Sequence, residues 1–173
     1  MRGGSSKLMF EIVMAFTMQF ASTSNPTIYN LTHGVGATRA NFRDDVFLVQ
    51  RLMQLANFII VRDGLPAGSS AQITVDGFFG PETNGMIQAY EENLRREGRL
   101  FFVADGMMDS ASPDGGVPGE DVTYKIVILN VDAKQTNQND YNLLPFDSVN
   151  PPILRQSLIK GATPPPPPPE PPH

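Results

Sequence analysis

The 173-residue chain has no cysteine. That excludes disulfides, thiolate zinc sites and a cysteine nucleophile. It leaves the compartment open, because a secreted protein can do without bridges. Imidazole is almost as scarce: only His33 and His173 carry it, and His173 closes a proline tail. A histidine-based zinc hydrolase needs two or three converging ligands, so neither a metal nor a cofactor is expected. The 13 basic residues form no cluster, the formal net charge is −5 and the pI is near 4.9. Phosphate backbones are bound by grouped Lys and Arg, so nucleic acid is not an expected partner. No apolar run approaches the roughly 18 uncharged residues of a membrane span. Arg2 and Lys7 ahead of the apolar stretch Leu8 to Phe20 have the layout of an export signal. Ala21-Ser22-Thr23 follows, but Glu11 and Gln19 interrupt the stretch and small residues do not hold both positions a cleavage site requires, so a cleaved signal is not expected.

Hydrophobic residues make up 40% of the chain and charged residues 18%, enough for a packed core. The 15 Gly and 16 Pro are unevenly spread, which divides the chain into compact and loose parts. Near the start, Leu8, Phe10, Ile12, Met14, Phe16, Met18 and Phe20 hold every even position. Period two places them on one face of a strand. At about 3.3 Å per residue, a strand over 7–20 spans roughly 46 Å, more than a small domain is wide. It is either a long hairpin arm or an element that joins a sheet in another subunit. Val122 to Val131 is rich in β-branched residues and reads as a second strand, the natural partner of the first. Thr27 to Leu31 has room for another short one.

Between them the period turns helical. Asn41 suits an N-cap, Asp44 suits a first turn, and Val46, Val49, Met53 and Ala56 line one face. Residues 62–72 have loop composition. Gly80-Pro81-Glu82 announces a second helix, with Met86, Ile87, Tyr90 and Leu94 as its stripe and Gly98 as its stop. Ile153 to Ile159 is a further helical turn or two. From Pro164 onward the chain is almost pure proline, an extended or disordered tail.

The segment Val75-Asp76-Gly77-Phe78-Phe79-Gly80-Pro81-Glu82-Thr83, with Tyr90-Glu91 behind it, resembles the hallmark of the non-catalytic peptidoglycan-binding domains of the three-helix type. Those carry an Asp-Gly-x-Phe-Gly-Pro-x-Thr turn and then an aromatic-Gln pair. Val46, Val49-Gln50 and Met53 are similar to the family's earlier helix. The resemblance covers about residues 35–98. Two departures stand out: Glu91 replaces the amide, and residues 62–72 lengthen the approach to Asp76. Read physically, Gly77 and Gly80 supply positive φ, Asp76 accepts turn N–H groups, Phe79 points inward and Phe78 outward. Asp76, Gly77, Phe79, Gly80, Thr83 and Tyr90 are therefore expected to be structural. The resemblance implies a shallow ligand groove beside the turn, with Phe78, Arg62 and Gln50 as candidate contacts.

The fold class expected is α+β: a small three-helix module inserted between long β-strands, with a disordered proline-rich tail. The expected organisation is a β-strand arm over 1–34, the helical domain over 35–110, a strand and extended segment over 111–160, and the tail over 161–173. An enzyme is not expected. Transpeptidase partners of such domains need a cysteine, zinc amidases need several histidines, and no muramidase-like carboxylate arrangement is present; Glu11 and Glu120 read as solvated or edge residues. Two functions are left, the first the expected one and the second its alternative. One is a structural component of a phage or phage-like particle, assembled in a bacterial cytoplasm, meeting other subunits through strands 7–20 and 122–131. The other is a wall-binding accessory protein of the cell envelope, with peptidoglycan as its ligand.

Overall fold

A computed structural model describes residues 15–18, 28–58, 72–99, 104–111 and 124–159. The remainder of the expected strand over 7–20, most of the loop over 62–72 and the proline tail lie outside the described residues. The element order is β1 (Phe16–Met18), β2 (Ile28–Asn30), α1 (Arg43–Leu55), α2 (Pro81–Arg96), α3 (Lys125–Thr136), α4 (Gln138–Leu143), a short 3-10 turn (Leu144–Phe146) and α5 (Pro152–Ile159).

This overturns the expected insertion of a helical module between long strands. Among the described residues, five helices surround one antiparallel pair, with Phe16 opposite Asn30, Thr17 opposite Tyr29 and Met18 opposite Ile28. The partner of β1 is thus β2, not the segment at 122–131, of which residues 125–131 are helical. The reason is visible in the packing. Ile126, Leu129, Asn130 and Ala133 are buried, at spacings of a helix, and α3 packs on α1, β2 and α4. A helix covered on several sides needs apolar residues most of the way round, and over a few residues that reads like a buried strand. Tertiary burial overrides the β-propensity of Ile126, Val127 and Ile128.

With all three residues buried, β2 lies inside the core. Its backbone finds partners in side-chain amides rather than a third strand. Asn130 on α3 accepts from Tyr29 N–H at 2.9 Å and donates to Tyr29 C=O at 2.9 Å. It also donates to Ile126 C=O at 2.8 Å and accepts from the Tyr141 hydroxyl at 2.6 Å. Asn30 does the same for Ala111, at 2.9 and 2.8 Å. Buried peptide groups must be paired, and these two amides do the pairing. Segment 104–111 returns along 31–36 through a two-way bridge between Val35 and Met108.

The start of α1 differs from the sequence expectation. Its N-cap position is Phe42, without a side-chain cap. Asn41 stands one residue earlier at φ 52°, and its amide closes on Gly36 and Arg39 instead. Asp45, one turn in, is fully buried and accepts Thr32 N–H and His33 N–H, both at 2.9 Å. Burial lifts its carboxyl to about 6, and the two backbone N–H groups offset only part of that. A carboxyl whose folded pKa exceeds its unfolded value contributes stability in full below the unfolded value, and loses it as pH rises through the folded one. Asp45 therefore stabilises the fold as pH falls from about 7 to about 5, by roughly 1–2 kcal/mol. Thermal melts of wild type and Asp45→Asn at the two pH values check this: the gain on acidification should shrink in the variant. An equal gain in both would contradict it.

Candidate functional site

The turn at 76–83 is assembled around one buried side chain. Gln50, on α1 and only 1% exposed, places its amide beneath the turn. Its Oε1 accepts Asp76 N–H at 3.0 Å and Gly77 N–H at 2.8 Å. Its Nε2 donates to Asp76 Oδ1 at 3.0 Å, Phe78 C=O at 3.2 Å and Thr83 Oγ1 at 3.0 Å. Asp76 Oδ1 also accepts Phe78 N–H at 2.8 Å, the local closure that Asp provides in tight turns. That bond, with Gln50, holds the Asp76 carboxyl below its ordinary range. Thr83 is buried and donates its hydroxyl to Phe78 C=O at 3.2 Å.

The two glycines of the turn differ. Gly77 has φ 75°, and a Cβ there would lie 2.8 Å from Arg43 Cγ, so the turn rests directly on the start of α1. Gly80 is extended and a Cβ would meet nothing within 4 Å. Its expected positive φ is not found; it serves as the residue before Pro81, which opens α2.

Phe79 is half-buried and packs against the core. Phe78 is 62% exposed, and the Arg43 guanidinium carbon lies 4.9 Å from its ring centre. Such a stack leaves the guanidinium N–H groups at the ring's edge for a ligand. Of the candidate contacts, Phe78 is at the surface. Gln50 is beneath it, with both amide atoms committed to the turn. Arg62 lies outside the described residues. The Arg that meets Phe78 is Arg43, which sequence reasoning missed. A signal existed: a cation in the first turn opposes the helix dipole, so its presence asks for a reason.

Tyr90 lies just past the middle of α2. It is buried, edge-on to Phe58 at 5.3 Å, and donates its hydroxyl to Asp132 on α3 at 2.7 Å. Burial and the neighbouring Asp132 push its phenol well above the ordinary value. Glu91 is fully buried and accepts Gly106 N–H at 2.7 Å and the Lys125 ammonium. Burial raises its pKa, and Lys125 pulls it part of the way back. Since Lys125 opens α3 and also pairs with Asp105 at 2.7 Å, Glu91 gives α2 an ionic tie to α3 and to the loop at 104–106.

Among the described residues no group of three or more His, Asp or Glu side chains is placed to hold a metal ion. What the turn presents is an exposed phenyl face, a guanidinium and a carboxylate: groups that stack and hydrogen-bond. Compared with protein-family models, with curated proteins and with solved structures, the chain finds no match, and the likeness to peptidoglycan-binding domains rests on its own residues alone.

Proposed function

We propose that the chain is a non-catalytic peptidoglycan-binding protein, whose turn at 76–83 offers Phe78 and Arg43 to the wall polymer. The observation that supports this most is the Gln50 network. Five hydrogen bonds from one buried amide hold a turn whose outermost side chain is a solvent-exposed phenylalanine. A turn built only to reverse the chain needs no exposed ring, whereas a recognition turn needs one held still.

A component of a phage or phage-like particle is the second reading. It no longer draws on a strand at 122–131, which is replaced by α3 over 125–136. It draws instead on an exposed apolar surface around α4 and α5. Leu143 and Phe146, with Asp140, Asp147 and Ser148, line a recess of about 390 Å³, and Val149 and Ile153 stand exposed beyond it. Exposed apolar surface of this kind marks contact with other proteins.

The test is co-sedimentation with insoluble sacculi at low and moderate salt, with the supernatant assayed for released muropeptides. The protein should pellet with the sacculi and release no soluble fragments above a heat-treated control. Failure to pellet at any salt would remove the wall-binding reading, and released muropeptides would overturn its non-catalytic part.

A further inference from the structure

We infer that the wall-binding face recognises the glycan strand, not the peptide stem, through a platform made by His33, Phe42, Arg43, Asp76 and Phe78. This inference rests on the wall-binding reading and narrows its ligand. Two ring contacts flank the first turn of α1. His33 meets Phe42 edge-on with centres 4.7 Å apart, and Arg43 covers Phe78 at 4.9 Å. Phe42 and Arg43 are consecutive, with Cα atoms about 3.8 Å apart, so both pairs are anchored at the start of α1. Phe42 is 42% exposed, His33 is exposed, and Phe78 is the more exposed of the two phenylalanines.

The platform is held from below on both sides. Buried Asp45 fixes the backbone at Thr32 and His33. Asn41, in the left-handed region, is pinned to Gly36 by two bonds of 2.8 Å and sets the entry of Phe42. Gln50 fixes Phe78, and Gly77 lets the turn press on Arg43. Exposed rings held by buried polar groups lose little freedom when a ligand arrives.

The polar groups beside the rings fix the chemical class. The Arg43 side chain makes no hydrogen bond or ion pair among the described residues, so its donors are free beside the Phe78 ring. Asp76 uses Oδ1 for both of its internal bonds, and Oδ2 accepts none among the described residues. Asp44 and Asp76 both lie within electrostatic reach of Arg43. Their two negative charges outweigh its one positive charge, which works against a stem-peptide carboxylate. A neutral sugar suits the set. Its apolar ring face lies on an aromatic side chain, and its hydroxyl and acetamido groups meet one free donor and one free acceptor.

Titration calorimetry of the full chain with a peptide-free tetramer of N-acetylglucosamine, and separately with the free stem pentapeptide, tests this. The tetramer should bind and the pentapeptide should not. Phe42→Ala and Phe78→Ala should each weaken the tetramer roughly 3- to 10-fold, while Phe42→Tyr and Phe78→Tyr, which keep the ring, should stay within about 2-fold of wild type. Melting temperatures of all four variants separate lost binding from lost folding. Sacculi that bind with no tetramer binding would overturn the glycan assignment and leave wall binding standing. Alanine variants that fold and bind the tetramer like wild type would overturn the platform. A chain that binds neither sacculi nor tetramer would overturn both.

Discussion

Replacing Gln50 with Leu should lower the free energy of unfolding by roughly 3–5 kcal/mol, although the two side chains are similar in size. The substitution removes five hydrogen bonds that share two N–H hydrogens and one oxygen, so together they are worth about 2–3 kcal/mol net. A further cost is what it leaves behind. Gly77 is buried, and without Oε1 its N–H has no acceptor; a stranded buried donor costs about 1–3 kcal/mol. The Asp76 N–H bond is only part-buried, which caps the total. Gln50→Glu should also destabilise near neutral pH, since it sets a carboxylate against Asp76 Oδ1 and Phe78 C=O in place of a donor. Denaturant unfolding reads both. A loss below about 1 kcal/mol for Gln50→Leu would mean that the turn holds its shape without the amide.

The second large effect is expected at Asn130, again with Leu as the replacement. Four bonds vanish, two of them to the backbone of Tyr29 within the core. Neither Tyr29 peptide group has water within reach, so a loss of roughly 3–5 kcal/mol is expected, a fall in Tm of about 10 °C for a chain of this size. Asn130→Asp should fall short of a rescue. It keeps an acceptor for Tyr29 N–H and the Tyr141 hydroxyl but loses the donor for Tyr29 C=O and Ile126 C=O, and it buries a charge. A near-neutral Asn130→Leu would show that α3 docks on β2 through its apolar residues alone.

These two amides also mark where reading from the sequence stops. The start of α2 was legible because its signals are local: a glycine, then Pro81 at the first helical position and Glu82 in the first turn. The outline of β2 and of α5 was legible for the same kind of reason. Gln50 was visible as a residue of a helical pattern. Its partners are 26 to 33 residues away, so its part in holding the turn appears only once α1 and the turn are in contact. The segment from Lys125 was misread because its burial on several sides erases the polar face that marks a helix. Asn130 in the middle of that apolar run was the missed clue. A polar residue among Ile126, Ile128 and Leu129 must be satisfied by something, and its i+4 relation to Ile126 is helical. Asn41 misled in the opposite direction. It has the chemistry of a cap, but it takes a positive φ and closes on Gly36, leaving Phe42 in the capping position. At the site itself, Phe78 could be read as outward from its place beside Phe79, whereas Arg43 could not be assigned to it without the fold.

The measurement that bears most directly on the account is a sacculus-binding isotherm taken for three proteins side by side: wild type, Phe78→Ala with Arg43→Ala, and Leu143→Ser with Phe146→Ser. The four positions changed leave Gln50 and Asn130 untouched, so the core networks persist in each. The account predicts that wild type and the Leu143, Phe146 variant bind alike, while the Phe78, Arg43 variant loses at least about 10-fold in affinity, the loss of a stacked ring and a charge-assisted hydrogen bond. Undiminished binding by a folded Phe78, Arg43 variant would contradict it.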